Sequence, residues 1–252
     1  MSLEFIIGVK AGIGRTFEEA EEALKQTKNL KEKISSQDSI PNALQKIHHT
    51  LLSKQYAFIR YEGPSLATKN DSLYTLRQTV DFDVFQTITN LNKVLQQYGE
   101  NSLAYRAVSH QIEKRCIDDS TTALTPFGYH FKIAHEINPH RNLHSNVDNI
   151  YRYRVIVDAN DMHFWNDKLG YDKVSAQLNI IGKTLVQSTR KTTPERVGDL
   201  IFRPILVSRM HGSAGDEFFL DLYCPEDSIK PLVERVLDKI YSTQLESRIY
   251  LE

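Results

Sequence analysis

Long apolar runs are missing from this chain. No stretch approaches the roughly 20 consecutive apolar residues of a membrane-crossing helix, and the first residues lack the basic, apolar and small-residue succession of a secretory signal. The sequence therefore predicts no membrane insertion. Cysteine is scarce: Cys116 and Cys224, both in apolar surroundings, exclude a disulfide framework and fit a reducing cytoplasm. Surplus charge is absent too. Thirty-one Lys and Arg against 32 Asp and Glu leave a formal net charge of −1, which argues against a long nucleic-acid groove or an anionic membrane surface as partner. Glycines precede a helical pattern at Gly12 and Gly14, but no G-K-[ST] follows, so a plain turn over 12–15 is expected rather than a phosphate loop.

What is present is an ordinary globular composition, 40% hydrophobic and 25% charged, in 252 residues, enough for one large or two small domains with a real core. Residues 3–11 read as a buried strand. Thr16 and Glu19 make a capping box that opens a helix to about residue 33, with Phe17, Ala20, Ala23, Leu24 and Thr27 on one face. Residues 36–117 are mostly helical and poor in motifs. Pro41 opens one helix, 56–61 suggests a short strand, and a stripe from Phe85 to Leu95 is followed by a helix over 103–116. Asp81 and Asp83 read as solvated capping acids, and 63–70 and 139–149 as loops. Residues 151–157 alternate and then turn wholly apolar, the pattern of a central strand ending at Asp158. Val174, Leu178, Ile181 and Leu185 form the inward face of one later helix, and a second helix spans 227–241.

The chemistry concentrates at 207–224, V-S-R-M-H-G-S-A-G-D-E-F-F-L-D-L-Y-C. Two strand-like runs flank a small-residue corner at Gly212, Ser213, Ala214 and Gly215, the signature of a β-hairpin. Asp216 and Glu217 follow the corner. Two acids at a hairpin tip are costly without water, a cation or hydrogen-bond donors, and a hard divalent cation suits carboxylate oxygens.

The stretch A-G-D-E-F at 214–218 resembles the signature of the GGDEF family, the diguanylate cyclases, with alanine at the first glycine. Other segments are similar to further parts of that pattern. Asp119, Thr122, Leu124 and Phe131 resemble its opening D-x-L-T-G-L-x-N-R-x-x-F motif, with Pro126-Phe127 in place of the Asn-Arg pair. Asp158, Asn166, Asp167, Gly170 and Leu178 match the D-x-D-x-F-K-x-x-N-D-x-x-G-H-x-x-G-D-x-x-L segment. Arg196, Asp199 and Arg203 resemble its R-x-x-D-x-x-x-R, followed by about nine extra residues before Ala214. The family's last strand and helix are not found at the C-terminus. They resemble instead the N-terminal Ile6-Ile7-Gly8-Val9 and the run from Ala20 to Lys28, as in a circular permutation.

The resemblance implies an α+β fold: a ferredoxin-like palm, β-α-β-β-α-β, completed by residues 1–34, with a mostly helical linking or regulatory region at 35–117 and the palm itself at 118–252. It implies Asp158, Asp216 and Glu217 as ligands of Mg²⁺ (or Mn²⁺) and as catalytic groups toward a ribose hydroxyl. Asn166 would read guanine, Ser175 stands where the family has a second base-reading acid, and His163 stands where it has a phosphate-binding lysine. Lys28 would take phosphate. Ser175 is shared with the subgroup that makes mixed cyclic GMP-AMP, so relaxed choice between GTP and ATP is expected. The expected activity is condensation of nucleoside triphosphates to a cyclic dinucleotide across a homodimer. The alternatives are a degenerate palm that binds nucleotide or a protein partner and signals by conformation, and another palm enzyme such as an archaeal-type GTP cyclohydrolase or a CRISPR-associated cyclase.

Overall fold

The computed structural model describes residues 3–27, 34–35, 37–52, 56–58, 71–137, 150–191, 198–203, 216–247 and 250–251. The elements, in chain order, are β1 (Leu3–Glu4), β2 (Val9–Gly14), α1 (Phe17–Thr27), α2 (Ile40–Leu52), β3 (Tyr56–Phe58), α3 (Asp71–Tyr98), α4 (Leu103–Cys116) and α5 (Pro126–Lys132), extended by a π-helical turn at Ile133–Ile137. They continue with β4 (Tyr151–Ala159), α6 (Met162–Leu169), α7 (Tyr171–Ser188), β5 (Leu200–Phe202), β6 (Glu217–Cys224), α8 (Glu226–Glu246) and β7 (Tyr250–Leu251). The architecture is α+β. Its main sheet runs β3-β2-β4-β6-β5, in which β2, β4, β6 and β5 are mutually antiparallel neighbours and β3 adds a parallel edge. The edge strand thus comes from within the motif-poor stretch 35–117.

Alternation along each strand assigns its two faces. Val9, Ala11 and Ile13 of β2, Tyr153, Val155 and Val157 of β4, and Phe218, Leu220 and Leu222 of β6 share one buried cluster with α7 and α8. The helices contribute Val174, Leu178, Ile181 and Leu185, then Ile229, Val233, Val236, Leu237 and Ile240. Each large side chain buried fully in this way contributes about 1.5–3 kcal/mol. The opposite face meets α1 through Ala20 and Leu24 against Ile156. It meets α5 and the helical stretch before it through Tyr129, stacked at 4.1 Å on Phe202, which in turn lies 5.2 Å from Phe219.

The N-terminus corrects two expectations. The main strand is Val9–Gly14, not 3–11, and 12–15 is no turn: Gly12 and Gly14 are strand residues paired with Ile156 and Arg154. The reason is steric. A Cβ on Gly12 would lie 2.0 Å from the Ala20 carbonyl oxygen, and one on Gly14 would lie 2.4 Å from Glu19 Cβ, so bare backbone here lets α1 sit directly on β2. Residues 5–8 are buried without ladder partners. Buried side chains satisfy part of their backbone instead: Gln244 takes the Ile7 N–H at 2.9 Å and donates to the Ile7 carbonyl at 3.1 Å, while Gln177 donates to the Phe5 carbonyl at 2.5 Å. The Gly8 carbonyl accepts the Asn160 backbone N–H at 2.7 Å. Among the described residues before β2, Leu3–Glu4 pairs as a strand, with Tyr250–Leu251.

The capping box closes as expected, the Glu19 N–H reaching Thr16 Oγ1 at 3.2 Å and the Thr16 N–H reaching Glu19 Oε2 at 3.2 Å. Asp83 does not cap a helix: it lies inside the long α3 and pairs with Arg115 of α4 at 2.5 Å. The corner 212–215, the loops 63–70 and 139–149, Arg196 and Lys28 lie outside the described residues.

Candidate functional site

The antiparallel register of the three central strands sets one row of side chains at one end of the sheet. Lys10 of β2 stands opposite Asp158 of β4, and Asp158 stands opposite Glu217 of β6. Residues so opposed have Cβ atoms about 5 Å apart and share a face. That face is the one covered farther along by α1. Asp216 begins the same end of β6, where its carbonyl accepts the Ala159 N–H at 3.0 Å. The structure therefore gathers Asp158, Asp216 and Glu217 at one sheet end.

The electrostatics of this end are set by burial. Asp158 is 8% exposed, and the Lys10 ammonium, on a residue 5% exposed, is ion-paired with its carboxylate. Desolvation, and after it the charge of nearby Asp158, holds the Asp216 carboxyl above its ordinary value, with Lys10 and Arg203 pulling the other way. Neighbouring carboxylates in a half-buried corner are the donor set that a hard cation stabilises. Among the described residues, however, no group of three or more His, Cys, Asp or Glu side chains is arranged to hold a metal ion. Asp158 and Asp216 are the residues that would hold one, with Glu217 on the adjoining strand position.

The remaining expected residues lie on the two helices that follow β4. Asp161 has a left-handed backbone, φ 57°, where the chain turns out of the strand into α6. His163 is on α6 with its side chain 95% exposed, Nε2 lying 3.4 Å from Asp167 Oδ2. Asn166 is half-buried on the same helix, and its carbonyl accepts the Gly170 N–H at 3.0 Å. Ser175 is exposed on α7. Asp199, matched to the R-x-x-D motif, has a structural partner. Arg190 grips it through Nε at 2.8 Å and Nη2 at 2.5 Å, and the Tyr223 N–H reaches it at 3.2 Å.

Two contributors, Lys10 and Asn160, had no part in the sequence reading, and a third, Arg203, entered it only as a motif match. Lys10 is a charged residue in an apolar strand, and its alternation with Val9 and Ala11 places it on the Asp158 face. Asn160, two residues past Asp158, is 3% exposed, and its Oδ1 has no hydrogen-bond partner among the described residues. Arg203, at the end of β5, reaches Asp118 Oδ2 at 3.2 Å and Ser120 Oγ at 3.3 Å while acting on Asp216 electrostatically. It ties the turn after α4 to the acidic end of the sheet.

A second charged cluster lies farther along the same face. Asp221 is fully buried, bound by Arg152, by Arg154 Nε at 2.7 Å and by the Tyr129 hydroxyl at 2.7 Å. Burial first, and Asp221 second, push the Tyr129 hydroxyl's pKa well above its ordinary value. This cluster fastens α5 to the sheet. Comparison with known protein families and with curated proteins finds no match for this chain.

Proposed function

We propose that this chain is a GGDEF-like nucleotidyl cyclase, which condenses two nucleoside triphosphates, GTP and also ATP, into a cyclic dinucleotide. The observation that carries the reading is the gathering of Asp158, Asp216 and Glu217 at one end of adjoining antiparallel strands. The sheet order supports it. Taken as β4-(α6, α7)-β5-β6-α8 with β2 as the fourth strand, the four antiparallel strands stand in the spatial order 4-1-3-2 of a ferredoxin-like palm whose last strand is supplied by the N-terminus.

In this reading Asp158 and Asp216 bind the cation, and Glu217 takes the proton of the attacking ribose 3′-hydroxyl as it bonds to the α-phosphorus of a second nucleotide and pyrophosphate leaves. A bound Mg²⁺ (or Mn²⁺) would neutralise triphosphate oxygens and lower the pKa of that hydroxyl. Asn166 and Ser175, on consecutive helices, would read the base, and His163 would take phosphate, a role the resemblance also gives to Lys28. His163 is exposed, and an imidazole is a weaker phosphate partner than the lysine that the family has at that position. Ring closure needs two such transfers in opposite senses, which two copies of the site in a homodimer provide.

The test is incubation of the full chain with labelled GTP and ATP in Mg²⁺ or Mn²⁺, with products resolved. A cyclic dinucleotide formed by wild type and lost in Asp158→Asn and Asp216→Asn, both still folded by circular dichroism, is the expected result. No product under any cation, together with nucleotide binding that survives both substitutions, refutes the enzyme. A second reading, a palm that binds nucleotide without turnover, is favoured by one observation: the Asp158 carboxylate is already engaged by Lys10.

A further inference from the structure

The ion pair between Lys10 and Asp158 has a meaning beyond the reading above, on whose cation site it rests. Both residues are buried, 5% and 8% exposed, and they stand directly opposite one another on adjoining strands. A buried charge without a partner is strongly destabilising, so each of these two keeps the other in place. The oxygens at this sheet end suit a partner of higher coordination number than an ammonium. Asn160, two residues along, holds a buried side-chain oxygen with no hydrogen-bond partner among the described residues. The Asp216 carboxyl is near enough to feel the charge on Asp158. A lysine ammonium has three N–H donors, whereas Mg²⁺ and Mn²⁺ demand about six oxygen ligands.

We propose that the Lys10 ammonium is a built-in occupant of the cation position on Asp158, and that a divalent cation binds by exchanging with it. The exchange has a thermodynamic signature. In the free protein a cation gains Asp158 only by displacing an ammonium that then lacks its counterion. Cation alone therefore binds weakly, and an anion carried in with the cation, such as a polyphosphate, offsets the loss by neutralising the released Lys10. Removing the ammonium abolishes the competition and leaves Asp158 open to the cation. Loss of charge at Lys10 thus strengthens cation binding, the reverse of what removing an ordinary buried contact does.

The experiment uses Mn²⁺ alone as the probe, with no nucleotide, on the full chain. Binding is read by electron paramagnetic resonance of free Mn²⁺, and stability by thermal melting in EDTA and in Mn²⁺. Lys10→Met is expected to bind Mn²⁺ at least tenfold more tightly than wild type, to melt lower than wild type in EDTA, and to regain the difference in Mn²⁺. Lys10→Gln, which keeps a hydrogen-bond donor toward Asp158, serves where Lys10→Met does not fold, and the same gain is expected. The double variant Lys10→Met with Asp158→Asn should lose the gain, which assigns it to Asp158. Equal or weaker Mn²⁺ binding in the Lys10 variants, with no rescue of melting, overturns the exchange and makes the pair a purely structural contact. Mn²⁺ binding that rises in Lys10→Met, while wild type forms no dinucleotide in the separate incubation with GTP and ATP, upholds the exchange and sinks the cyclase.

Discussion

Gly12→Ala adds a single methyl group where the fold has no room for it. Gly12 lies in β2 beneath α1, and the new Cβ would stand 2.0 Å from the Ala20 carbonyl oxygen, 2.5 Å from the Leu24 backbone nitrogen and 2.8 Å from Leu24 Cβ. Two of these obstacles are helix backbone, so no rotamer change and no side-chain truncation on α1 relieves them. The helix has to lift, which opens the packing of Ala20, Ala23 and Leu24, all buried. Overpacking costs about 1–3 kcal/mol, and rigid obstacles place this case near 3 kcal/mol. At about 2–4 °C per kcal/mol for a chain of this size, the melting temperature falls by roughly 6–12 °C. Far-UV circular dichroism melts of wild type and Gly12→Ala measure the drop. Gly99→Ala is the control: nothing lies within 4 Å of its added Cβ, and only the left-handed backbone, φ 77°, is strained. That strain costs about 1–2 kcal/mol. A Gly12→Ala protein melting within about 2 °C of wild type, or no lower than Gly99→Ala, refutes the argument that close approach of α1 requires glycine.

Two further outcomes are expected. Ser175→Asp should shift nucleotide preference toward GTP by about tenfold to a hundredfold, because a carboxylate adds a charge-assisted hydrogen bond to guanine worth about 1.5–3 kcal/mol; an unchanged GTP-to-ATP affinity ratio removes Ser175 from the base site. Burial raises the Asp118 carboxyl, but hydrogen bonds from Thr121, Ser120 and Arg203 outweigh it and hold the group below its ordinary 3.8. A carboxyl lowered in the folded state contributes stability that is present above the unfolded value and lost as pH falls through the folded one. Asp118→Asn should therefore lower the urea midpoint most near neutral pH, with the gap closing below 3.8; a gap of constant size across that range contradicts the assignment.

Elements whose signal is local were legible in the sequence. The Thr16–Glu19 box, the apolar stripes of α7 and α8 and the alternation ending at Asp158 each depend on residues within one or two turns or a few strand positions, and each took its expected form. Composition and periodicity also sufficed for the absence of a membrane-crossing helix among the described residues. The position of the first long strand was not legible. Residues 5–8 have the same apolar character as Val9–Gly14, and the distant Gln177 and Gln244 decide that Phe5 and Ile7 bond to side chains while 9–14 bond to β4. Gly12 and Gly14 carry turn signals by type, yet the nearness of α1 makes them strand residues. The acids at the site were visible as residues, but their company was not. That Lys10, Asp158 and Glu217 form one row is a matter of register between strands more than 50 residues apart in the chain, and register is decided by which faces bury together when the sheet packs on α7 and α8.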